Sequence, residues 1–146
     1  MSENAAATPA ATPATHPAVV NAARWFWWIA GLSVVNTVLS VTGAGVHFVV
    51  GLGISEVADA LFHETPMTGY LIDAVAVAFF FGMGYIAQRG RLWAFYLGAL
   101  VYLLDGLIYL RFQDWMPVAF HAFALYCIFR GVTAQRAINA QSQAQA

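Results

Sequence analysis

The sequence predicts an all-α integral membrane protein: a four-helix transmembrane bundle with an additional interfacial or re-entrant segment between the first and second spans. Two observations predict this fold. Of the 146 residues, 61% are apolar and only 9% are charged, whereas soluble domains carry about 25% charged residues. Four apolar stretches also have the length, about 20 residues, that an α-helix needs to cross a bilayer. Together they predict one transmembrane domain at residues 21–136.

Two polar termini flank this domain. Residues 1–20 form an Ala/Thr/Pro tract whose three prolines recur at four-residue intervals. Proline at this density disfavours a helix and favours extended chain, so we predict a disordered cytoplasmic tract. Residues 137–146 are predicted to form a flexible polar tail.

The first span is predicted at about residues 24–43. A cluster of three tryptophans follows Arg24, as is typical of an interfacial anchor with a basic flank. Within this span, Asn36 belongs to a seam of polar residues at helical spacing. Such seams commonly form interhelical hydrogen bonds in membranes.

The segment at about residues 44–65 is interrupted by glycines and carries four charged or imidazole side chains in its second half. A free transmembrane helix of this composition would place several charges in lipid. From Ile54 onward, polar and apolar residues take opposite helical faces, which predicts an amphipathic helix that lies on the membrane or re-enters it. Its candidate site residues are His47, Glu56, Asp59 and His63.

The remaining spans are predicted at about residues 67–88, 92–111 and 115–131. Span two carries a ridge of small residues, which favours close helix approach. The ridge consists of Ala74, Ala78 and Gly82. Four crossings place five of the six arginines on one side, and the positive-inside rule then predicts a plasma (inner) membrane protein with both termini cytoplasmic. A fifth crossing would move two of these arginines outside.

Asp105 in span three is the most informative residue, because an ionisable group inside a membrane span is a functional-site hypothesis by default. Counting residues from the span ends places Asn36, Asp73, Asp105 and His121 roughly 8–10 Å below the outer boundary. The sequence therefore predicts one polar layer near the outer end of the bundle.

A tyrosine one helical turn on either side of Asp105 shares its face. Tyr102 and Tyr109 have the spacing to hydrogen-bond the acid or a ligand, and we predict that this face looks into the bundle.

Several functions fit this layer. The favoured hypothesis is binding of a proton, an ion or a small polar solute in a transport-like protein, because burial and the Asp105–His121 combination suit proton exchange. The main alternative is a non-catalytic accessory or scaffold subunit, in which the pair only fixes helix register. A metal- or haem-binding protein comes third, with His121, His47 or His63 as ligands. No cofactor is assigned and none is expected.

Composition and motifs argue against two further functional classes, nucleic-acid-binding proteins and enzymes. The formal net charge is −1, so no basic surface is available for nucleic acid. No hydrolase or zinc-protease motif is present, which argues against an enzyme. The predicted partners are the lipid bilayer and either further copies of the chain or a larger membrane complex. A cavity reaching Asp105 would favour binding, whereas a filled bundle with an outward small-residue ridge would favour the scaffold role.

Overall fold

The computed structural model describes residues 16–43, 52–62 and 64–145, and every regular element in these ranges is an α-helix. The helices are α1 (Pro17–Thr42), α2 (Gly53–Leu61), α3 (Pro66–Gln88), α4 (Leu92–Phe112) and α5 (Trp115–Ala144). α1, α3, α4 and α5 are each long and apolar enough to cross a membrane. The predicted all-α four-helix bundle is confirmed, and the chain is a multi-pass membrane protein.

The four long helices alternate in direction and surround a common core. α1 packs most extensively against α3 and α5, while α4 packs against α5 and, over a shorter length, against α3. The short helix α2 contacts both α3 and α4. We call the end of the bundle that holds α2 and the α4–α5 turn the α2 end. The opposite end, with the start of α1 and the α3–α4 turn, is the arginine end.

Two helices extend further than the sequence indicated. α1 begins at Pro17 rather than near Arg24, and a proline at the first position of a helix is tolerated because its missing N–H would be unpaired there. α5 runs to Ala144 through most of the segment predicted to be a polar tail. Its 30 residues span about 45 Å, more than the about 30 Å of a bilayer's hydrocarbon core, so α5 extends past the bundle at the arginine end.

The centre of the bundle is an aromatic cluster around Phe26 of α1. Its ring lies 6.3 Å from the Phe80 ring and 6.1 Å from the Phe95 ring, measured between centroids. A Cβ atom built on Gly98 would lie 2.5 Å from the Phe26 ring. Gly98 therefore leaves room on α4 for the Phe26 ring, which any side chain at this position would meet.

The small-residue ridge predicted on span two faces away from the bundle. Ala74 and Ala78 are exposed, and a Cβ atom built on Gly82 would have nothing within 4 Å. In a single copy of the chain, the ridge therefore faces lipid. Whether the segment before α2 re-enters the membrane stays a prediction, because residues 44–51 lie outside the described ranges.

Candidate functional site

Asp105 of α4 caps the N-terminus of α2. Its carboxyl group is buried, with Oδ2 2.8 Å from the backbone nitrogen of Gly53 and Oδ1 2.9 Å from that of Ile54. These are the first two residues of α2, which has no side-chain cap within its own sequence. A helix N-terminus presents unpaired N–H groups and a partial positive charge, and a carboxylate satisfies both. Asp105 thus holds α2 in the bundle.

A second contact fixes the direction of α2. The Tyr109 hydroxyl donates to Oε1 of Glu56 at 3.1 Å, about one turn beyond the Asp105 contact on both helices. α2 therefore runs parallel to the last two turns of α4. A Cβ atom on Gly53 would lie 3.1 Å from both the Asp105 carbonyl oxygen and the Tyr109 ring. Glycine at this position gives the two helices the room to approach.

His121 of α5 completes the environment of Asp105. Its Nε2 atom lies 2.9 Å from Oδ2 of Asp105, and its Nδ1 atom lies 2.8 Å from the Pro117 carbonyl oxygen. A carbonyl oxygen only accepts, so Nδ1 carries a hydrogen and donates it. The Asp105 contact then requires one further proton, which lies either on Nε2 or on the carboxyl group. In both forms the Asp105–His121 pair has zero net charge.

Aromatic rings and a glycine hold the imidazole in place. The Tyr102 ring stacks on the His121 ring with centroids 4.1 Å apart and planes 16° apart, and the Tyr109 ring lies 5.4 Å away. A Cβ atom on Gly106 would lie 3.0 Å from the imidazole. Tyr102, Tyr109 and His121 are each at most 3% exposed. The pair is therefore enclosed by α2, α4 and α5.

Asp73 of α3 belongs to a separate, smaller contact. Its Oδ2 atom lies 2.9 Å from the Thr37 hydroxyl oxygen, which also lies 3.2 Å from the Ser33 carbonyl oxygen. The hydroxyl has one hydrogen to donate. Asp73 is the closer of the two acceptors, so the hydroxyl donates to Oδ2. The other oxygen, Oδ1, is buried without a partner among the described residues.

The structure thus joins some of the predicted site residues and separates others. The face of α4 predicted to look into the bundle is buried, which confirms that prediction. Asp73 lies in its own contact with Thr37, and the neighbouring Asn36 is half-buried on α1. His47, His63 and the Asp59 side chain lie outside the described part of the chain. The residues that meet around α2 are Glu56, Tyr102, Asp105, Tyr109 and His121.

No three His, Cys, Asp or Glu side chains come together as a metal site among the described residues. His121 uses both ring nitrogens in contacts with Asp105 and Pro117. A metal-binding role for His47 or His63 stays a prediction.

A cavity of about 630 Å³ lies between α3 and α4, next to the pair. Among the described residues of its wall, Asp105 is the single charged one, and Ile54 of α2 closes part of the cavity. The rest is aliphatic or aromatic, as at Val75, Phe79 and Leu104. A cavity of this character suits an apolar body with one hydrogen-bonding group better than the small polar solute expected from the sequence.

Sequence reasoning missed three contributors to the site: the two α2 backbone amides and the Thr37 hydroxyl. Backbone amides leave no side-chain signature, although Gly53 hints at a close approach. No family model, curated protein or solved structure matches this chain.

Proposed function

We propose that the chain is a plasma (inner) membrane protein with cytoplasmic termini whose Asp105–His121 pair binds one proton, and that this proton controls the docking of α2. The orientation is supported by the arginines: five belong to the arginine end and Arg111 alone lies at the α2 end. The arginines of the arginine end are Arg24, Arg89, Arg91, Arg130 and Arg136.

The observation that carries the proposal is that both ring nitrogens of His121 face acceptors. If the shared proton leaves, the His121 ring keeps one hydrogen for two acceptors. In one of the two contacts, two lone pairs then face each other with no hydrogen between them. If a further proton is added, Asp105 becomes a neutral acid beside an imidazolium. Its bonds to the α2 amides then lose their charge-assisted strength. α2 is therefore held most firmly when the pair is neutral.

Release of α2 would change access to the cavity between α3 and α4. Ile54 lies in the cavity wall and its amide is bonded to Asp105, so a shift of α2 moves both together. The solute favoured by the apolar wall is a membrane-soluble molecule with a single polar group directed at Asp105. The function supported best is thus proton-linked binding of such a molecule, as in a small transporter.

Hydrogen exchange at the amides of Gly53 and Ile54 tests this proposal. In the full chain reconstituted in vesicles, protection should be highest at intermediate pH and should fall as rising pH removes the shared proton. His121→Gln cannot titrate and should abolish this pH dependence. Asp114→Asn removes an exposed acid at the same end and should preserve it. Protection that is independent of pH in the wild type would contradict the proposal.

The outward ridge on α3 supports a second candidate, an accessory subunit that associates through this face. A leucine in place of Ala78 would block close approach of a partner helix. Under this alternative, Ala78→Leu reduces assembly measured by cross-linking in membranes, whereas His121→Gln does not. Loss of pH-dependent exchange with no change in assembly would favour the proton-binding function instead.

A further inference from the structure

A second groove of about 640 Å³ lies between α1 and α5 at the arginine end, far from the Asp105–His121 pair. Asn21 and Trp25 of α1 form one wall, and Arg130 and Thr133 of α5 form the other. Unlike the cavity beside Asp105, this groove combines a cation, an amide, a hydroxyl and an indole. Its chemistry therefore indicates an anionic ligand with an apolar part.

Small residues line the groove beside its polar side chains, namely Ala18, Ala22 and Ala134. Next to the groove, a Cβ atom built on Gly131 would lie 2.4 Å from the Cβ atom of Ala22, and both residues are buried. α1 and α5 therefore touch almost backbone to backbone along this line. The larger side chains on either side, Trp25 and Arg130, stand away from the contact and leave the space between them open.

Arg130 is exposed and has no acidic partner among the described residues. Every aspartate and glutamate in the described ranges belongs to the half of the bundle nearer α2, so none of these acids neutralises Arg130 at the arginine end. By contrast, the Arg89 guanidinium lies over the Tyr85 ring and donates to its hydroxyl. Arg130 is thus a cation in a preformed groove that is available to an external anion.

An apolar stripe continues from the groove along α5 toward the middle of the bundle. Tyr126 and Phe123 lie four and seven residues before Arg130, on the same helical face, and both are more than half exposed. The Phe123 ring packs edge-on against Trp25 with centroids 5.3 Å apart. A ligand with its charge at Arg130 would therefore have its apolar part along aromatic side chains.

We propose that this groove binds the headgroup of an anionic phospholipid. The phosphate lies at Arg130, and the Asn21 amide donates to a phosphate oxygen. The Thr133 hydroxyl donates to the Arg130 carbonyl at 2.9 Å, which leaves its lone pairs to accept from a headgroup hydroxyl. The acyl chains follow Phe123 and Tyr126. Basic pockets between transmembrane helices on the cytoplasmic side are known to suit such headgroups.

Native mass spectrometry and thermal melting of the detergent-solubilised full chain test the proposal, with phosphatidylglycerol as the probe. Phosphatidylglycerol should bind and raise the melting temperature, whereas phosphatidylcholine and free glycerol phosphate should do neither. Arg130→Gln should weaken phosphatidylglycerol binding about fivefold, the effect of one arginine near an anionic surface. Ala134→Leu, which fills the groove without changing charge, should weaken it as well.

Arg136→Gln is the matched control, because it removes one arginine from the same helix outside the groove. Arg136→Gln should leave phosphatidylglycerol binding within about twofold of the wild type, because charges outside a contact contribute little. This margin is roughly the scatter of such binding measurements. Equal losses in Arg130→Gln and Arg136→Gln would show attraction to overall charge and overturn the site. Equal binding of phosphatidylcholine would overturn the anionic specificity, and binding of glycerol phosphate alone would assign the groove to a soluble phosphate.

Discussion

Asp105 and Asp73 are both buried aspartates in transmembrane helices, and the structure satisfies them in opposite ways. Both oxygens of Asp105 are hydrogen-bonded, to the backbone amides of α2 and to the His121 imidazole of α5. Only one oxygen of Asp73 has a partner, the Thr37 hydroxyl, among the described residues. The comparison teaches that the number of hydrogen-bond partners distinguishes the two buried carboxyl groups, and that the group with more partners has more to lose when it is changed.

Replacing aspartate with asparagine should therefore lower the free energy of unfolding most at Asp105. Asp105→Asn leaves one acceptor oxygen for two α2 amides and turns an NH₂ group toward one of them. We expect a loss of about 3 kcal/mol in the free energy of unfolding, as when one partner of a buried pair is removed. Unfolding in mixed micelles followed by circular dichroism measures this.

Asp114→Asn is the control for this prediction, because Asp114 is exposed and makes no capping bond to α5. A loss at Asp105 no larger than at Asp114 would mean that the α2 cap contributes nothing to stability.

A smaller loss of stability should follow from displacing the His121 imidazole. Gly106→Ala places a methyl group 3.0–3.1 Å from the His121 ring, so the ring must shift away from Asp105. Gly82→Ala is the matched helix-interior control, because its new methyl group meets nothing within 4 Å. Relative to Gly82→Ala, Gly106→Ala should be less stable by about 1 kcal/mol. Equal melting temperatures for the two variants would show that the position of His121 is not tightly constrained.

The smallest change in the free energy of unfolding should be at Asp73. Asparagine has nearly the same shape as aspartate, and its amide oxygen can accept the hydrogen that the Thr37 hydroxyl donates to Asp73, so Asp73→Asn should change the free energy of unfolding by less than about 0.5 kcal/mol. Unfolding under the conditions used for Asp105→Asn gives the comparison directly. A loss as large as that at Asp105 would remove the contrast between the two residues.

The sequence was sufficient for much of this architecture. Span length and apolarity located the four long helices, and the spacing of Tyr102, Asp105 and Tyr109 identified the buried face of α4. Residue counting predicted a common depth for the polar groups, but it did not predict the direction of each group around its helix axis. Asn36 and its neighbour Thr37 point about 100° apart, and it is Thr37 that contacts Asp73. Direction depends on packing, which the pattern of one helix does not contain.

The partners of Asp105 on α2 were hidden for a different reason. Its donors on α2 are main-chain amides, which every residue except proline carries. The pattern of α2 predicted an amphipathic helix from its side chains, whereas its N-terminus is held by its backbone. Gly53 is the one sign of this contact in the sequence, because any side chain at this position would meet α4.

The distant cap also sets an order of assembly. α2 leaves the ribosome before α4, yet its N-terminal amides find their acceptor 52 residues later in the chain. Until Asp105 arrives and α5 supplies His121, this nine-residue helix lacks its cap, and helices so short are marginal alone. α2 should therefore be the last element to become ordered during membrane insertion. A chain truncated after Gln113 should retain α4 but show rapid exchange at the Gly53 amide, which makes α2 a marker of the completed bundle.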